Sequence, residues 1–334
     1  MSPGAAGRRK PIREREFHEW LARHLPSGRA GLLPIGDDAA ALPTPLGRVA
    51  VLTTDSMVEG THFLRGSPPG RVGAASVSVS LSDLAAKGAD PAAILLAIIV
   101  PPGTPAAWAR SLVEGAERCA ERFGASVVGG DTKPGPVRSV VSTGVGWGEP
   151  GRLAPHTGAR VGDVVVTTGT VGRGGIAAAH LADRDLPRSA TLAELLDVRP
   201  RVREGIALSR WAHAMVDTSD GIAVSSRLIA EASRVRIVIE EARLPLAPGV
   251  GRFARDPRRR RAILLFGGDY ELLATLPRES VGAATRKVAS AGARLTEIGR
   301  VERGRGAVLD TGEGRIPMPS PGWHPFDPGG RALP

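Results

Sequence analysis

The stretch Met215-Val216-Asp217-Thr218-Ser219-Asp220-Gly221 ("MVDTSDG") puts two carboxylates, with two residues between them, at the end of a short apolar run and closes on a glycine. A helical pattern precedes it ("VREGIALSRWAHA", a helix expected over 200–213) and a second follows ("IAVSSRLIAEA", expected over 221–234). Aspartate at such a junction ordinarily starts a turn or caps a helix. The pattern recurs, however. Asp37 and Asp38 stand in "PIGDDAA", Asp55 ends "VLTTD", and Asp131 ends "SVVGGD". Asp83 lies in the small-residue helical run "VSLSDLAAKGA".

Outward from these aspartates the chain alternates strand and helix patterns. Strands are expected at 32–42 (broken by Gly-Asp-Asp), 48–55, 91–100, 125–132 and 137–148, with helices at 12–25, 71–90 (stopping at Gly88) and 105–124. A Gly/Pro-rich stretch, 148–162, reads as a linker. Beyond it, strands are expected at 163–169, 235–240, 262–266, 271–276 and 294–301, and helices near 174–183 and 279–291. This is an α/β (α+β) chain in two halves. The expected division is a loose basic tail at 1–11, an N-terminal domain at 12–150, a C-terminal α/β domain at 151–310 and a Gly/Pro-rich tail at 311–334.

The bulk numbers narrow the function. The 334 residues carry a net charge of +10, yet the basic residues are mostly scattered arginines and aromatics make up only 4%. Without aromatics interleaved among the cations, the charge reads as a solvated surface and not as a nucleic-acid site. One cysteine, Cys119, excludes a disulfide framework within the chain and a cysteine-rich zinc site. No apolar run approaches membrane-spanning length, so a cytoplasmic protein is expected.

Carboxylates embedded in apolar sequence are costly unless paired or metal-bound, and few lysines lie near these sites to pair with. Converging carboxylates repel one another unless a cation lies between them. The seven histidines show no metal-ligand spacing, which leaves a hard, oxygen-seeking ion: Mg²⁺, together with a nucleotide or another phosphate. "TTGTVGRGGIAAA" (167–179) follows a strand and leads into a helix, so its backbone N–H groups are expected to hold an anion. Its Gly-Arg-Gly-Gly-Ile-Ala match to a dinucleotide fingerprint is weak alone, and no P-loop occurs.

Taken in order, "IGDDAAAL", "TTDSMVEGTHF", "SVSLSDLAAKGADP", "GGDTKPGP", "TGTVGRGG", "DTSDGI", "GGDYELL" and "GWHPF" resemble the thiamine-monophosphate kinase family over about residues 12–326. The family is similar to aminoimidazole ribonucleotide synthetase. The resemblance implies two α/β domains, with N-terminal sheets pairing into a barrel across a homodimer. It also implies transfer of the γ-phosphoryl group of ATP to the phosphate of thiamine monophosphate. By resemblance, Asp37, Thr54, Asp55, Asp83, Asp131, Asp217 and Asp220 match Mg²⁺-binding positions, with Thr53 as a backbone or hydroxyl ligand. Gly130, Asp131 and Ser219 match nucleotide contacts, and His62 and Trp323 match contacts to thiamine. The C-terminal tail is expected to close over the substrate site.

Two positions depart from the family pattern. His156 stands where an arginine commonly touches ATP, and Gly268 stands where a substrate-side glutamate is common. Gly268 is the best argument for the alternative, an ATP-using enzyme of the same superfamily with another small-molecule substrate. A basic nucleic-acid-binding protein is the other reading.

Overall fold

The computed structural model describes residues 14–25, 31–45, 47–182, 196–253 and 256–319. The basic tail and Trp323 lie outside the described residues. A first helix, α1 (Glu14–His24), precedes a five-stranded sheet of β1 (Ala40–Pro43), β2 (Val49–Val58), β3 (Asp90–Val100), β4 (Ser126–Pro134) and β5 (Ser139–Gly148). Its order is β1-β2-β5-β3-β4, antiparallel except for the β3–β4 pair. Residues of β5 alternate half-buried and buried along the strand, because only one face is covered. Helix α2 (Pro69–Ala86) lies on that face and α3 (Ala106–Glu121) packs beside it. The two helices approach closely through glycine: a Cβ at Gly73 would sit 1.9 Å from the Leu112 carbonyl oxygen, and one at Gly115 would sit 2.0 Å from that of Gly70. The opposite face leaves Leu42 (39%), Leu95 (41%) and Val128 (63%) exposed.

A seven-stranded sheet follows, built from β6 (Val164–Thr168), β7 (Ala214–Asp217), β8 (Arg236–Glu240), β9 (Leu272–Leu276), β10 (Leu295–Glu302), β11 (Gly306–Asp310) and β12 (Arg315–Pro317). They lie in the order β12-β11-β8-β10-β6-β9-β7. Both faces of its centre are covered, which explains why β6 ("VVVTT") and β9 ("LLATL") are buried at every position and read as continuous runs, not alternations. Val165 and Leu273 face a core shared with α4 (Arg173–Ala182), α6 (Ile222–Ser233) and α7 (Pro257–Leu265). Val164, Val166, Leu272, Ala274 and Leu276 face the other way. There they join α5 (Val202–Leu208), α8 (Val281–Ala291) and the whole core of the first half in one apolar cluster. No helix among the described residues is long and apolar enough to cross a membrane.

Several expected elements change. The apolar run at 262–266 is not a strand but the last turns of α7. Asp256 accepts hydrogen bonds from the N–H groups of Arg258 and Arg259 at 3.0 Å each, and Pro257 occupies the first turn, so the helix starts upstream and runs through. The helix expected at 200–213 ends at Leu208. The strand expected at 32–42 contracts to β1, because Gly36 (φ +98) turns the chain just before it. Within the tail beginning at 311, residues 315–317 form the edge strand β12.

Candidate active site

Asp55 on β2 and Asp83 on α2 lie side by side, and Asp217 at the end of β7 acts on Asp83 by charge. The one group of acidic and histidine side chains close enough to share an ion among the described residues is instead Asp37, Asp38 and His156. Register sets the position of Asp55. Along β2, Thr53 and Asp55 point inward towards α2 while Thr54 points out, its hydroxyl 3.1 Å from that of Thr143 on β5. Helix α2 brings Asp83 alongside, and the Thr53 hydroxyl donates to Asp83 Oδ2 at 2.5 Å. The neighbouring Ser82 donates to Asp217 Oδ2 at 2.6 Å, which ties the first half to the end of β7. The Ser219 N–H and hydroxyl hold Asp217 Oδ1 at 3.2 and 2.7 Å.

The electrostatics are those of crowded anions. Burial raises the Asp55 carboxyl above its ordinary range, although Asp83 and Ser80 nearby act to lower it. Burial, then the charges of Asp55, Asp217 and Asp38, hold Asp83 well above the ordinary value. Asp217, driven chiefly by burial and then by Asp38, is pushed up to about 7. Asp55 Oδ2 is buried with no hydrogen-bond partner among the described residues. Acidic oxygens that are buried, mutually repelling and in one case orphaned form a donor set suited to a hard divalent cation. Tyr270 borders the same group: its hydroxyl is raised by burial and then by Asp217, Asp55, Asp220 and Asp83. Its backbone is left-handed (φ +54), a conformation uncommon for a non-glycine residue, shared here by Arg234 at a helix C-cap.

Asp37 and Asp38 form a second, neutralised group. Lys87, at the C-terminal end of α2 and fully buried, donates to Asp37 Oδ1 at 2.5 Å and lies 3.1 Å from Asp38 Oδ2. The His156 N–H donates to Asp37 Oδ2 at 3.0 Å, and its ring Nε2 lies 2.7 Å from Asp38 Oδ1. Burial acts to raise Asp38, but Lys87 and then His156 outweigh it and bring the carboxyl down to about 2. The expectation that few lysines lie near enough to pair is therefore corrected: Lys87 is 50 positions from Asp37 in the chain and beside it in space. His156, which shows no ligand spacing in sequence, joins the same cluster.

The remaining candidates sit further out. Asp220 is exposed, beyond Ser219. Asp131 projects from the open edge strand β4 with Lys133 2.9 Å away. Register places it on the outer face of the sheet, the face of Thr54 and not that of Asp55. Gly130 is fixed by packing, since a Cβ there would lie 1.8 Å from the Leu96 carbonyl oxygen. His62 Nδ1 accepts the Val58 N–H at 3.1 Å, so the neutral ring carries its proton on Nε2. Gly268 has φ +91 and donates to the Ser219 carbonyl at 2.7 Å. A glutamate here would need a left-handed backbone.

The glycine-rich turn at 167–179 does gather N–H groups, but their anion is the protein's own. Asp269 accepts from the N–H groups of Gly172 and Gly174 at 2.8 and 2.9 Å, and burial pushes its carboxyl up to about 7. The expectation that this turn holds a ligand's anion is thus corrected. Arg201 and Glu271, not singled out in the sequence, make a bidentate pair at 2.6 Å that also takes the Thr168 hydroxyl.

Two sheets of this topology, joined by one helix that carries a carboxylate to the end of a strand in the other half, define a class. Residues 36–148 match the AIR synthase related protein N-terminal domain, and residues 160–311 match the AIR synthase related protein C-terminal domain. Within that class the chain belongs to the thiamine-monophosphate kinase family. It is 35% identical over 271 residues to the thiamine-monophosphate kinase of Synechococcus elongatus, covering 75% of this chain and 82% of that one. With the Methanospirillum hungatei enzyme of the same name it shares 36% identity over 275 residues, 82% and 88% of the two chains. Among solved structures, AaThiL complexed with AMPPCP and TMP superposes with a TM-score of 0.80 at 28% identity, covering 94% of this chain and 97% of that one.

Proposed function

We infer that this chain is an ATP-dependent kinase that transfers the γ-phosphoryl group of ATP directly to the phosphate of thiamine monophosphate, giving thiamine diphosphate. Family membership and the AaThiL complex with AMPPCP, an ATP analogue, and TMP support the reading. The observation on this chain that carries it is Asp83 on α2, whose carboxyl is held up by burial and by the charges of Asp55 from one half and Asp217 from the other. Joining two phosphates sets anion against anion, and such a reaction needs positioning and charge neutralisation more than covalent chemistry. The acceptor oxygen is already anionic, so no general base is required.

Mg²⁺ fits the donor set. Thr53, Asp55, Asp83 and Asp217 would hold an ion on the inner side of the sheet and Thr54 and Asp131 a separate one on the outer side, with Asp37 and Asp220 at the margins. Bound there, it would neutralise phosphate charge. Thr53, Ser82 and Ser219 orient the carboxylates. Gly130, Asp131 and Ser219 serve the nucleotide, and His156 serves it by holding the Asp37–Asp38 turn. His62, the backbone at Gly268 and Trp323 serve the thiamine side, with the tail at 311–334 closing over it. The N-terminal domain (12–150) pairs through its open sheet face with a second copy to form a barrel, and the homodimer works in the cytoplasm.

The direct assay uses purified protein, Mg²⁺-ATP and thiamine monophosphate, with free thiamine as the control acceptor. Thiamine diphosphate should form, and free thiamine should not be phosphorylated. Turnover of free thiamine alone would overturn the assignment.

Metal binding should also be visible in stability. Asp217 is raised from 3.8 to about 7 in the metal-free fold. The folded state then holds protons that the unfolded chain releases, so stability is lost as pH rises between those values. Mg²⁺ competes with those protons. The rise in Tm on adding Mg²⁺ should therefore be several °C larger at about pH 8 than at about pH 5.5. Equal increments at both values would count against these carboxylates as the ion's ligands.

A further inference from the structure

Away from the carboxylates, a cavity of about 550 Å³ opens where the two halves meet behind α2. Its walls come from four places. Arg48 stands at the start of β2 and Trp147 at the end of β5, α5 and the turn after it carry Arg203 and Arg210, and α8 carries Lys287. Arg203 lies in the first turn of α5 and Arg210 in the turn that follows its end at Leu208. The Arg48 guanidinium lies over the Trp147 ring, 5.6 Å from its centroid.

The charge in this cavity is unbalanced, and its unpaired cations come from separate elements. Several arginines elsewhere are matched, Arg201 with Glu271, Arg260 and Arg261 with Glu241, Arg300 with Glu240 and Arg315 with Glu302, while others, such as Arg65, Arg110 and Arg303, stand singly among the described residues. In the cavity five cationic side chains face two carboxylates, Asp90 and Glu149, and Glu149 is already paired with Arg152. Arg48, Arg203, Arg210 and Lys287 have no ion pair or side-chain hydrogen bond among the described residues. All four are exposed, so water and salt screen their mutual repulsion, but a multiply charged anion placed among them would be attracted by every one. The cavity volume falls within the ordinary range for small-molecule sites.

We propose that this interdomain cavity is a second ligand site, which takes a phosphorylated small molecule of at least two negative charges. The ligand binds by charge to Arg203, Arg210 and Lys287, with Arg48 and Trp147 forming one wall. Because these residues come from both halves, it bridges them. The site is separate from the kinase centre: it contains none of the clustered aspartates and requires no metal.

That independence supplies the test. Inorganic pyrophosphate is titrated calorimetrically into the full-length protein with EDTA present, at low salt and alkaline pH. Under these conditions the metal-free carboxylates repel the anion and the glycine-rich turn is filled by Asp269. Binding with Kd below about 1 mM is expected, weakening as salt screens the charges. Arg203→Gln/Arg210→Gln should weaken it at least about tenfold, and Asp55→Asn should leave it unchanged. Lys287→Gln, a single exposed change on a different helix, should weaken it independently and guards against misfolding of the double variant. Both sets should retain basal kinase turnover. Absence of binding, or binding that survives the arginine and lysine variants, overturns the proposal.

Discussion

Asp55→Asn should lower kcat/KM for ATP-dependent thiamine diphosphate formation by at least about a thousandfold while leaving the metal-free protein as stable as the parent, or more so. The two halves of that result have different causes. Asp55 contributes a buried oxygen with no hydrogen-bond partner among the described residues, next to Asp83. Losing its charge removes a cation ligand, and a metal's stabilisation of transition-state charge is worth several kcal/mol, enough for that fall in rate. The same loss relieves repulsion from Asp83, and the amide keeps the carboxylate's size. Steady-state kinetics beside thermal melting in EDTA separate the effects. Unchanged turnover removes Asp55 from the site. A collapse of both activity and stability would make it a structural residue.

Lys87→Met should destabilise the fold by about 3–5 kcal/mol, read from the denaturant midpoint. Methionine replaces most of the stem volume, so the loss is chiefly electrostatic. Lys87 is fully buried, and so is the Asp37 side chain that it neutralises. Burial acts to lower the Lys87 ammonium, but Asp38 and Asp37 overcome this and raise it. Without the lysine, two carboxylates stay in the interior with the His156 ring and backbone N–H groups as their remaining support. Adding Asp38→Asn to Lys87→Met should recover part of the loss, because one stranded charge is then gone. A penalty below about 1 kcal/mol would mean that water reaches the cluster.

What the sequence made legible followed from local chemistry. "MVDTSDG" read as the end of an apolar run before a helix because strand end, turn and helix start are all written within a few residues. Embedding in apolar runs marked Asp55 and Asp83 as carboxylates needing a partner or an ion, and β2 turns Thr53 and Asp55 inward. The misreading at 262–266 was also local: "AILLF" has strand composition, but the start signal lay upstream in Asp256-Pro257. Long-range pairing was invisible. Nothing near Asp37 in the chain announces Lys87, and nothing in "TTGTVGRGG" announces that Asp269, 97 positions beyond Gly172, fills its ring of N–H groups. Glycine spacing reports that a backbone can cradle an anion; it does not report whose anion arrives.

Helix α2 also limits how this protein can be rebuilt by recombination. Within a few turns it supplies Asp83 to the strand beneath it, Ser82 to Asp217 and Lys87 to the Met215 carbonyl. A Cβ at Gly205 would lie 2.0 Å from the Ala85 carbonyl oxygen. A chimera spliced at the apparent boundary near residue 150, with one parent on each side, therefore joins a helix from one lineage to its seat in another. Such hybrids should tolerate exchange only when positions 82, 85 and 87 travel with 205, 215 and 217, so that the crossover respects the contact surface and not the linker.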